Sequence, residues 1–194
     1  FVEPMLTNVP GLKVIAPATP YDGKGLLKAA IRDDNPIIFL EREIMYAEKG
    51  EVPDHEYIVP IGEGDVKRVG SDVTLVTWSR MVGFCEKAAE ILAGEGIDVE
   101  IIDPRTLQPL DEDLIFESVR KTHRAVVVEE AWGFASVGAE ICDRIQRHCF
   151  DELDAPVLRL SSKFTSMPYN EHMEETVLPN VENIVSSVKE AMYL

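Results

Sequence analysis

After Gly70, short apolar segments alternate with amphipathic segments, and this alternation limits the fold more than any other feature of the sequence. The apolar segments, predicted as strands, are residues 73–78, 99–102, 125–128 and 157–160. The amphipathic segments, predicted as helices, are residues 82–93, the stretch capped by Asp111, residues 136–148 and residues 181–192. Continuously apolar strands that alternate with helices are typical of a parallel or mixed sheet covered on both faces. We therefore predict a three-layer α/β/α domain.

A shorter strand–helix–strand unit precedes this domain within residues 1–47. Its apolar segments at 12–16 and 36–40 predict buried strands. Asp22 is predicted to cap a helix that begins near Gly23 and ends before Pro36. Charged residues, proline and glycine then dominate residues 48–64, which are predicted to be a linker with one possible short strand at 57–59.

The charge of the chain narrows the classes of partner. The 35 acidic residues against 19 basic ones give a formal net charge of -16. Such a chain repels phosphate backbones, so nucleic acid is not an expected partner. Apolar runs stay far below the roughly 20 residues that a membrane-spanning helix needs, so no membrane association is expected.

Chemistry in sheets of this class gathers at the carboxyl ends of the strands. The residues predicted at those ends are Ser79, Arg80, Asp103, Arg105 and residues 129–132 and 161–164. They include no nucleophile–base pair, and the dinucleotide, P-loop and hydrolase motifs are missing from the sequence. The four histidines also lack the clustered spacing of metal ligands. We expect Arg105 and Glu129 to order an interface, and the alternative is that each forms a weak surface ion pair.

Several sequence strings occur in an order that carries a resemblance. They are VPGLKV at 9–14, GLLKAAIRD at 25–33, DPRTLQPL at 103–110, VVEEAW at 127–132 and MPY at 167–169. In this order they resemble the beta subunits of thiamine diphosphate-dependent 2-oxo acid dehydrogenases, those of the pyruvate dehydrogenases above all. The resemblance implies the last part of a pyrimidine-binding α/β domain at 1–47, a linker at 48–64 and a transketolase C-terminal domain at 65–194.

The family resemblance also implies an activity and partners. Such beta subunits pair with an alpha subunit that holds magnesium and the diphosphate of the cofactor, giving an α2β2 heterotetramer with a second beta subunit. The assembly decarboxylates pyruvate, reductively acetylates lipoyl groups and docks on the subunit-binding domain of the dihydrolipoyl acetyltransferase. It works in the bacterial cytoplasm or the mitochondrial matrix. The glutamate that activates the cofactor lies upstream of VPGLKV in the family, so this chain alone is expected to be inactive.

One family site falls inside the chain, at the turn that follows the first predicted helix. The resemblance implies a structural potassium ion held by Ala30, Ile31, Asp33 and Asn35. The residues themselves leave two interpretations open. Unpaired carbonyls at a helix end beside acidic residues suit a hard cation, whereas most helix ends are simply hydrated.

Three alternatives stay open. A branched-chain 2-oxo acid or acetoin dehydrogenase would show similar strings, because the residues that select the substrate are not recognisable here. A non-catalytic assembly and docking module would explain the acidic surface and the missing catalytic set, and a flavodoxin-like binder would carry its own cofactor. The chain also departs from the family in residues 1–8 and at Ser162-Lys-Phe164, where Gly-x-Asp is usual.

Overall fold

A computed structural model describes residues 2–194, apart from the side chain of Glu171. The helices are α1 Glu3–Thr7, α2 Pro20–Arg32, α3 Met81–Gly94, α4 Glu112–Thr122, α5 Val137–His148, α6 Glu171–Val177 and α7 Val181–Ala191. The strands are β1 Lys13–Ile15, β2 Ile37–Phe39, β3 Asp65–Arg68, β4 Val73–Thr77, β5 Val99–Asp103, β6 Thr106–Gln108, β7 Ala125–Trp132 and β8 Leu158–Ser162. Short 3-10 helices lie at Glu43–Ala47 and Phe150–Glu152. None of the helices in this described part of the chain is long and apolar enough to cross a membrane.

The larger sheet has five strands in the order β3-β5-β4-β7-β8. Strands β4, β5, β7 and β8 are parallel, and β3 runs antiparallel along β5 at one edge. Helices α3 and α7 pack on one face of this sheet, and α4 and α5 pack on the other. All five residues of the central strand β4 are buried, as expected for a strand covered on both sides. The predicted three-layer α/β/α architecture is confirmed.

The smaller sheet has three strands in the order β2-β1-β6, and it joins the two regions of the chain. Strands β1 and β2 are parallel, whereas β6 comes from the second region and pairs antiparallel with β1. Val14 and Ala16 consequently lie in the same apolar core as Val76 and Ile102 of the larger sheet. The first region is therefore docked on the second by main-chain pairing as well as by apolar packing.

Three local predictions were wrong. Helix α2 starts at Pro20 because the Thr19 hydroxyl accepts the Asp22 amide at 3.1 Å and proline suits the first helical position, so Thr19 and not Asp22 is the cap. Residues 57–59 form no strand; Val59 is buried by side-chain packing in one apolar cluster with Leu26 of α2 and Ile15 of β1. Strand β2 is only half-buried because it is an edge strand.

Candidate functional site

The carboxyl ends of β4 and β7 flank the crevice in which a sheet of this topology usually binds a ligand, because the helices that follow these neighbouring strands, α3 and α5, pack on opposite faces of the sheet. Ser79, which follows β4, has a φ of 52°, a conformation that is uncommon for serine. Its hydroxyl donates to the sulfur of Met45 at 3.8 Å. The 3-10 helix Glu43–Ala47 thus lies over the end of β4, and the chain's own first region covers this crevice.

Four charged side chains, which we call the edge bridge, link the same crevice to α1. Arg42 Nη2 lies 2.8 Å from Glu3 Oε1 and 2.8 Å from Glu130 Oε2. Arg80 Nη1 lies 3.2 Å from Glu130 Oε1. The two acids are largely buried, at 8% and 12% side-chain exposure, and the two arginines balance their charge. The edge bridge therefore holds α1 and Arg42 against β7.

Glu129 is buried under the first turn of α5. One of its carboxylate oxygens accepts the Ser136 hydroxyl, and the other accepts the Gly138 amide at 3.1 Å. The Ser136 oxygen in turn accepts the Ala139 amide at 3.2 Å and caps α5. Burial raises the pKa of the Glu129 carboxyl, and the hydrogen bonds from Ser136 and Gly138 oppose that rise. Glu129 is thus occupied in fixing the start of α5.

A second group of charges, the interface cluster, lies where α2 meets the larger sheet. It consists of Asp22, Asp65, Lys67, Asp103 and Arg105. Lys67 Nζ lies 2.6 Å from Asp22 Oδ2, 2.8 Å from Asp65 Oδ2 and 3.6 Å from Asp103 Oδ2. Arg105 Nε lies 2.7 Å from Asp22 Oδ1, in a geometry too bent for a good hydrogen bond, and its Nη2 lies 3.0 Å from Asp65 Oδ2. The ion pair of Arg105 is therefore not a weak surface pair, since its partner Asp22 is fully buried.

The carboxyls of the interface cluster differ in their affinity for a proton. Burial opposes ionisation of Asp22, but hydrogen bonds from Lys67 and Thr19 outweigh it and hold the pKa of Asp22 below its ordinary value. Burial raises the pKa of Asp103 to about 7, because Lys67 and the Arg105 amide offset the cost of burial less well than the partners of Asp22 do. Burial alone would lower the pKa of Lys67, but the carboxylates around it, Asp103 first, raise it.

The four residues predicted to hold potassium lie at the end of α2: Ala30 and Ile31 belong to its last turn, and Asp33 and Asn35 follow it. Asp33 Oδ1 accepts the Asn35 amide at 2.8 Å and the Asn35 side-chain nitrogen at 2.7 Å. Its other carboxylate oxygen pairs with the ammonium group of Lys13. These contacts, with the hydrogen bond from Lys13 as the largest, lower the pKa of Asp33 to about 2. The Ala30 carbonyl accepts only a long hydrogen bond, at 3.4 Å, from the Asp33 amide.

The four residues named for the ion therefore offer main-chain oxygens rather than an uncommitted carboxylate, and the exposed Asp34 lies beside them. The Asp33 side chain is committed to Lys13 and Asn35, whereas helix-terminal carbonyls such as that of Ile31 have no partner within the helix. Neutral oxygen donors of this kind fit a weakly charged hard cation. Elsewhere within residues 2–194, no group of three or more His, Cys, Asp or Glu side chains could hold a metal ion.

Lys67 was not predicted as a site residue, and Asp22 was predicted to be a helix cap instead of a member of a buried charge cluster. Lys67 lies in a run of charged residues that resembles a linker, and only the pairing of β3 with β5 brings it to Asp103. Asp22 could have been recognised from the Thr19-Pro20 pair, because that pair already supplies a cap and leaves the Asp22 carboxylate free for another role.

Comparison with protein families gives two matches along the chain. The family described as "Transketolase, C-terminal domain" matches residues 62–184. The family described as "Transketolase, pyrimidine binding domain" matches residues 1–49. The second match covers α1, β1, α2 and β2, the elements that pack on the larger sheet through β6, the edge bridge and the interface cluster.

Curated relatives carry a common name. The pyruvate dehydrogenase E1 component subunit beta of Rhizobium meliloti (strain 1021) is 48% identical over 188 residues, which is 96% of this chain and 41% of that protein. The mitochondrial subunit beta of Dictyostelium discoideum is 47% identical and is aligned over 94% of this chain and 52% of its own length. The mitochondrial subunit beta-1 of Arabidopsis thaliana is 48% identical over 96% of this chain and 52% of its own length. The chain thus spans about half the length of the curated relatives it matches.

A solved structure supports the fold independently. The chain matches "Split gene transketolase, inactive beta4 tetramer" with a TM-score of 0.79 at 24% identity, over 99% of this chain and 60% of that one. The fold and the family match to residues 62–184 agree: the chain belongs to the transketolase C-terminal domain family.

Proposed function

We propose that the chain is the C-terminal part of the beta subunit of a pyruvate dehydrogenase E1 component. The observation that carries this proposal is the 44–48% identity, over nearly the whole chain, to curated proteins of that name. The assembled enzyme would decarboxylate pyruvate on thiamine diphosphate and reductively acetylate lipoyl groups. It would pair this subunit with an alpha subunit in an α2β2 heterotetramer, in the bacterial cytoplasm or the mitochondrial matrix.

The proposed contribution of residues 1–194 is to build and hold the shared site. The cofactor needs a carboxylate that is free to contact its pyrimidine ring. Asp22, Asp103 and Glu129 are already paired within the chain, and Glu3 is engaged by Arg42. These residues do not fit the role of cofactor ligand, so no catalytic step is assigned to them. This chain would supply the domain that positions an upstream catalytic segment.

A substrate comparison tests the proposed activity. The intact beta chain, expressed with its alpha partner, should release carbon dioxide from pyruvate at a much higher kcat/KM than from 2-oxoisovalerate, and it should leave acetoin unchanged. Equal or greater turnover of 2-oxoisovalerate would assign the chain to the branched-chain enzymes. Cleavage of acetoin would assign it to the acetoin enzymes.

We further propose that the turn after α2 binds potassium through the main-chain oxygens of Ala30, Ile31, Asp33 and Asn35. The committed Asp33 carboxylate supports a monovalent ion, because the four named residues then offer neutral main-chain oxygens and no uncommitted carboxylate of their own. An ion that binds only the folded state raises the melting temperature in proportion to the logarithm of its concentration. Potassium chloride should therefore stabilise the intact protein more than choline chloride at equal ionic strength. Equal melting temperatures in the two salts would contradict the site.

A docking role is the second proposed function, and the acidic surface favours it. The net charge of -16 suits a basic partner such as the subunit-binding domain of the dihydrolipoyl acetyltransferase. Raising the salt concentration from about 50 to 500 mM should weaken that complex, because exposed charges are screened. Docking that is indifferent to salt would exclude this role for the acidic surface.

A further inference from the structure

The interface cluster contains more acid than base, because three carboxylates face two cations when every member is ionised. Asp22 and Asp103 are fully buried, and the Lys67 side chain is 8% exposed. Asp65 is 37% exposed, so water screens its charge. An ionised carboxylate that is fully buried is unfavourable unless it is well paired, and a proton can neutralise it.

Asp103 is the member of the cluster that is best placed to take the proton. Its Oδ1 accepts the Arg105 amide at 2.8 Å, but its Oδ2 has no hydrogen-bond donor and lies 3.6 Å from Lys67 Nζ. Asp22, by contrast, receives hydrogen bonds from Lys67 at 2.6 Å and from the Thr19 hydroxyl at 2.6 Å. Asp103 accepts fewer hydrogen bonds and is therefore the easier of the two to protonate, and burial raises its pKa to about 7.

The charged groups that face Asp103 come from both regions of the chain. Asp22 reaches it from the first turn of α2, Asp65 and Lys67 from β3, and Arg105 from the turn after β5. Asp111, at the start of α4, points to the Gly64 amide at 2.7 Å instead. The ionisation state of Asp103 therefore acts directly on the contact between α2 and the larger sheet.

We propose that the interface cluster is a proton-operated latch that holds the first region against the second. When Asp103 carries a proton, two carboxylates balance Lys67 and Arg105, and α2 is held closed. When Asp103 ionises, the excess charge repels Asp22, and α2 separates from the sheet more often. Arg105 has a φ of 57°, a conformation that is uncommon for arginine and that its surroundings must hold in place.

The sign of the pH dependence follows from proton linkage. The folded state retains a proton on Asp103 up to about pH 7, whereas an exposed aspartate releases it near pH 3.9. Closure is consequently favoured at low pH within this window and weakens as the pH rises through 7. For a single group with these pKa values, the open population should increase about tenfold between pH 6 and pH 8.

Hydrogen exchange of the intact protein tests the latch. Amides of α2 should exchange about tenfold faster at pH 8 than at pH 6, after correction for intrinsic rates, whereas those of α7 should keep the same protection. Asp103→Asn, a neutral mimic of the protonated acid, should make α2 protection independent of pH. Asp98→Asn, which changes a half-exposed partner of Arg68, should retain the wild-type profile.

Two results would overturn the latch. One is α2 exchange in the wild type that changes only by the intrinsic rate between pH 6 and pH 8. The other is an Asp103→Asn protein that responds to pH as the wild type does. If Asp103→Asn does not fold, the wild-type comparison of α2 with α7 decides the matter by itself.

Discussion

The main-chain nitrogen of Ala16 donates a hydrogen bond to the carbonyl oxygen of Arg105 at 2.9 Å. Ala16 follows β1 in the first region, and Arg105 precedes β6 in the second. Beyond this bond, Ile15 pairs with Thr106 and Val14 pairs with Gln108 across the two strands. Arg105 thus joins the two regions through its main chain and, by its contact with Asp22, through its side chain as well.

This pairing predicts that the two regions stay together without the covalent linker. A protease site inserted after Gly50, in an exposed stretch, would cut the chain while leaving the β1–β6 pairing, the edge bridge and the interface cluster intact. We expect the two fragments to elute together in size-exclusion chromatography and to separate only in denaturant. Two separate peaks under native conditions would show that these contacts do not hold the regions together.

Gly25 is the position at which α2 and the segment around Val59 approach each other closely. A Cβ added there would lie 2.5 Å from Val59 Cγ2 and 3.0 Å from the Val59 main-chain nitrogen. Gly25→Ala should therefore lower the free energy of unfolding by about 1–3 kcal/mol, measured by urea denaturation. Gly23→Ala is the matched control: nothing lies within 4 Å of its Cβ, and it should stabilise the helix by about 0.4–1 kcal/mol. Equal effects of the two changes would contradict the close packing.

Arg42 is predicted to contribute more to the free energy of unfolding than its partial exposure suggests. Arg42→Met leaves two largely buried carboxylates, Glu3 and Glu130, without their shared cation, so we expect a loss of about 1–3 kcal/mol of unfolding free energy. The control is Arg32→Met, which removes an ion pair with Glu56 whose partners are 54% and 65% exposed, and it should cost about 0–1 kcal/mol. Thermal or urea unfolding distinguishes the two, and similar losses would exclude a structural role for the edge bridge.

The sequence predicted those elements whose signals are local. Asp111 caps α4 as expected, by accepting the Leu114 amide, and α5 begins next to the predicted residue 136, where the Ser136 hydroxyl accepts the Ala139 amide. The four parallel strands of the larger sheet were also predicted, because their apolar runs do not depend on which strand lies beside them. The observed ends of these strands differ from the predicted ends by at most four residues; β7, for example, continues through Trp132.

The features that the sequence did not predict depend on distant residues. Strand β6 has three residues and is defined only by β1, some 90 positions earlier in the chain. Lys67 and Asp22 lie 45 positions apart, and neither residue indicates by itself that it will be buried. The interface cluster is therefore created by tertiary contacts that no local sequence signal indicates, whereas the predicted turn at the end of α2 follows from one helix end.

Ser136 gives the prediction with the clearest pH dependence. Its hydroxyl caps α5 and also donates to Glu129, so Ser136→Ala should cost about 1–3 kcal/mol of unfolding free energy. Burial raises the pKa of Glu129 and the Ser136 hydrogen bond opposes that rise, so the pKa should climb further in the variant. An acid whose pKa is raised by folding destabilises the folded state as the pH increases, and the loss should therefore be larger at about pH 8 than at about pH 5.

A second cap in the same chain provides the control for this prediction. Asn180 caps α7 by accepting the Asn183 amide at 2.8 Å, in an exposed position away from Glu129. Asn180→Ala should cost about 1 kcal/mol at both pH values, because only a cap is lost. Urea denaturation at the two pH values measures both variants. If the loss of unfolding free energy in Ser136→Ala does not change with pH, the pKa of Glu129 does not depend on the hydrogen bond from Ser136.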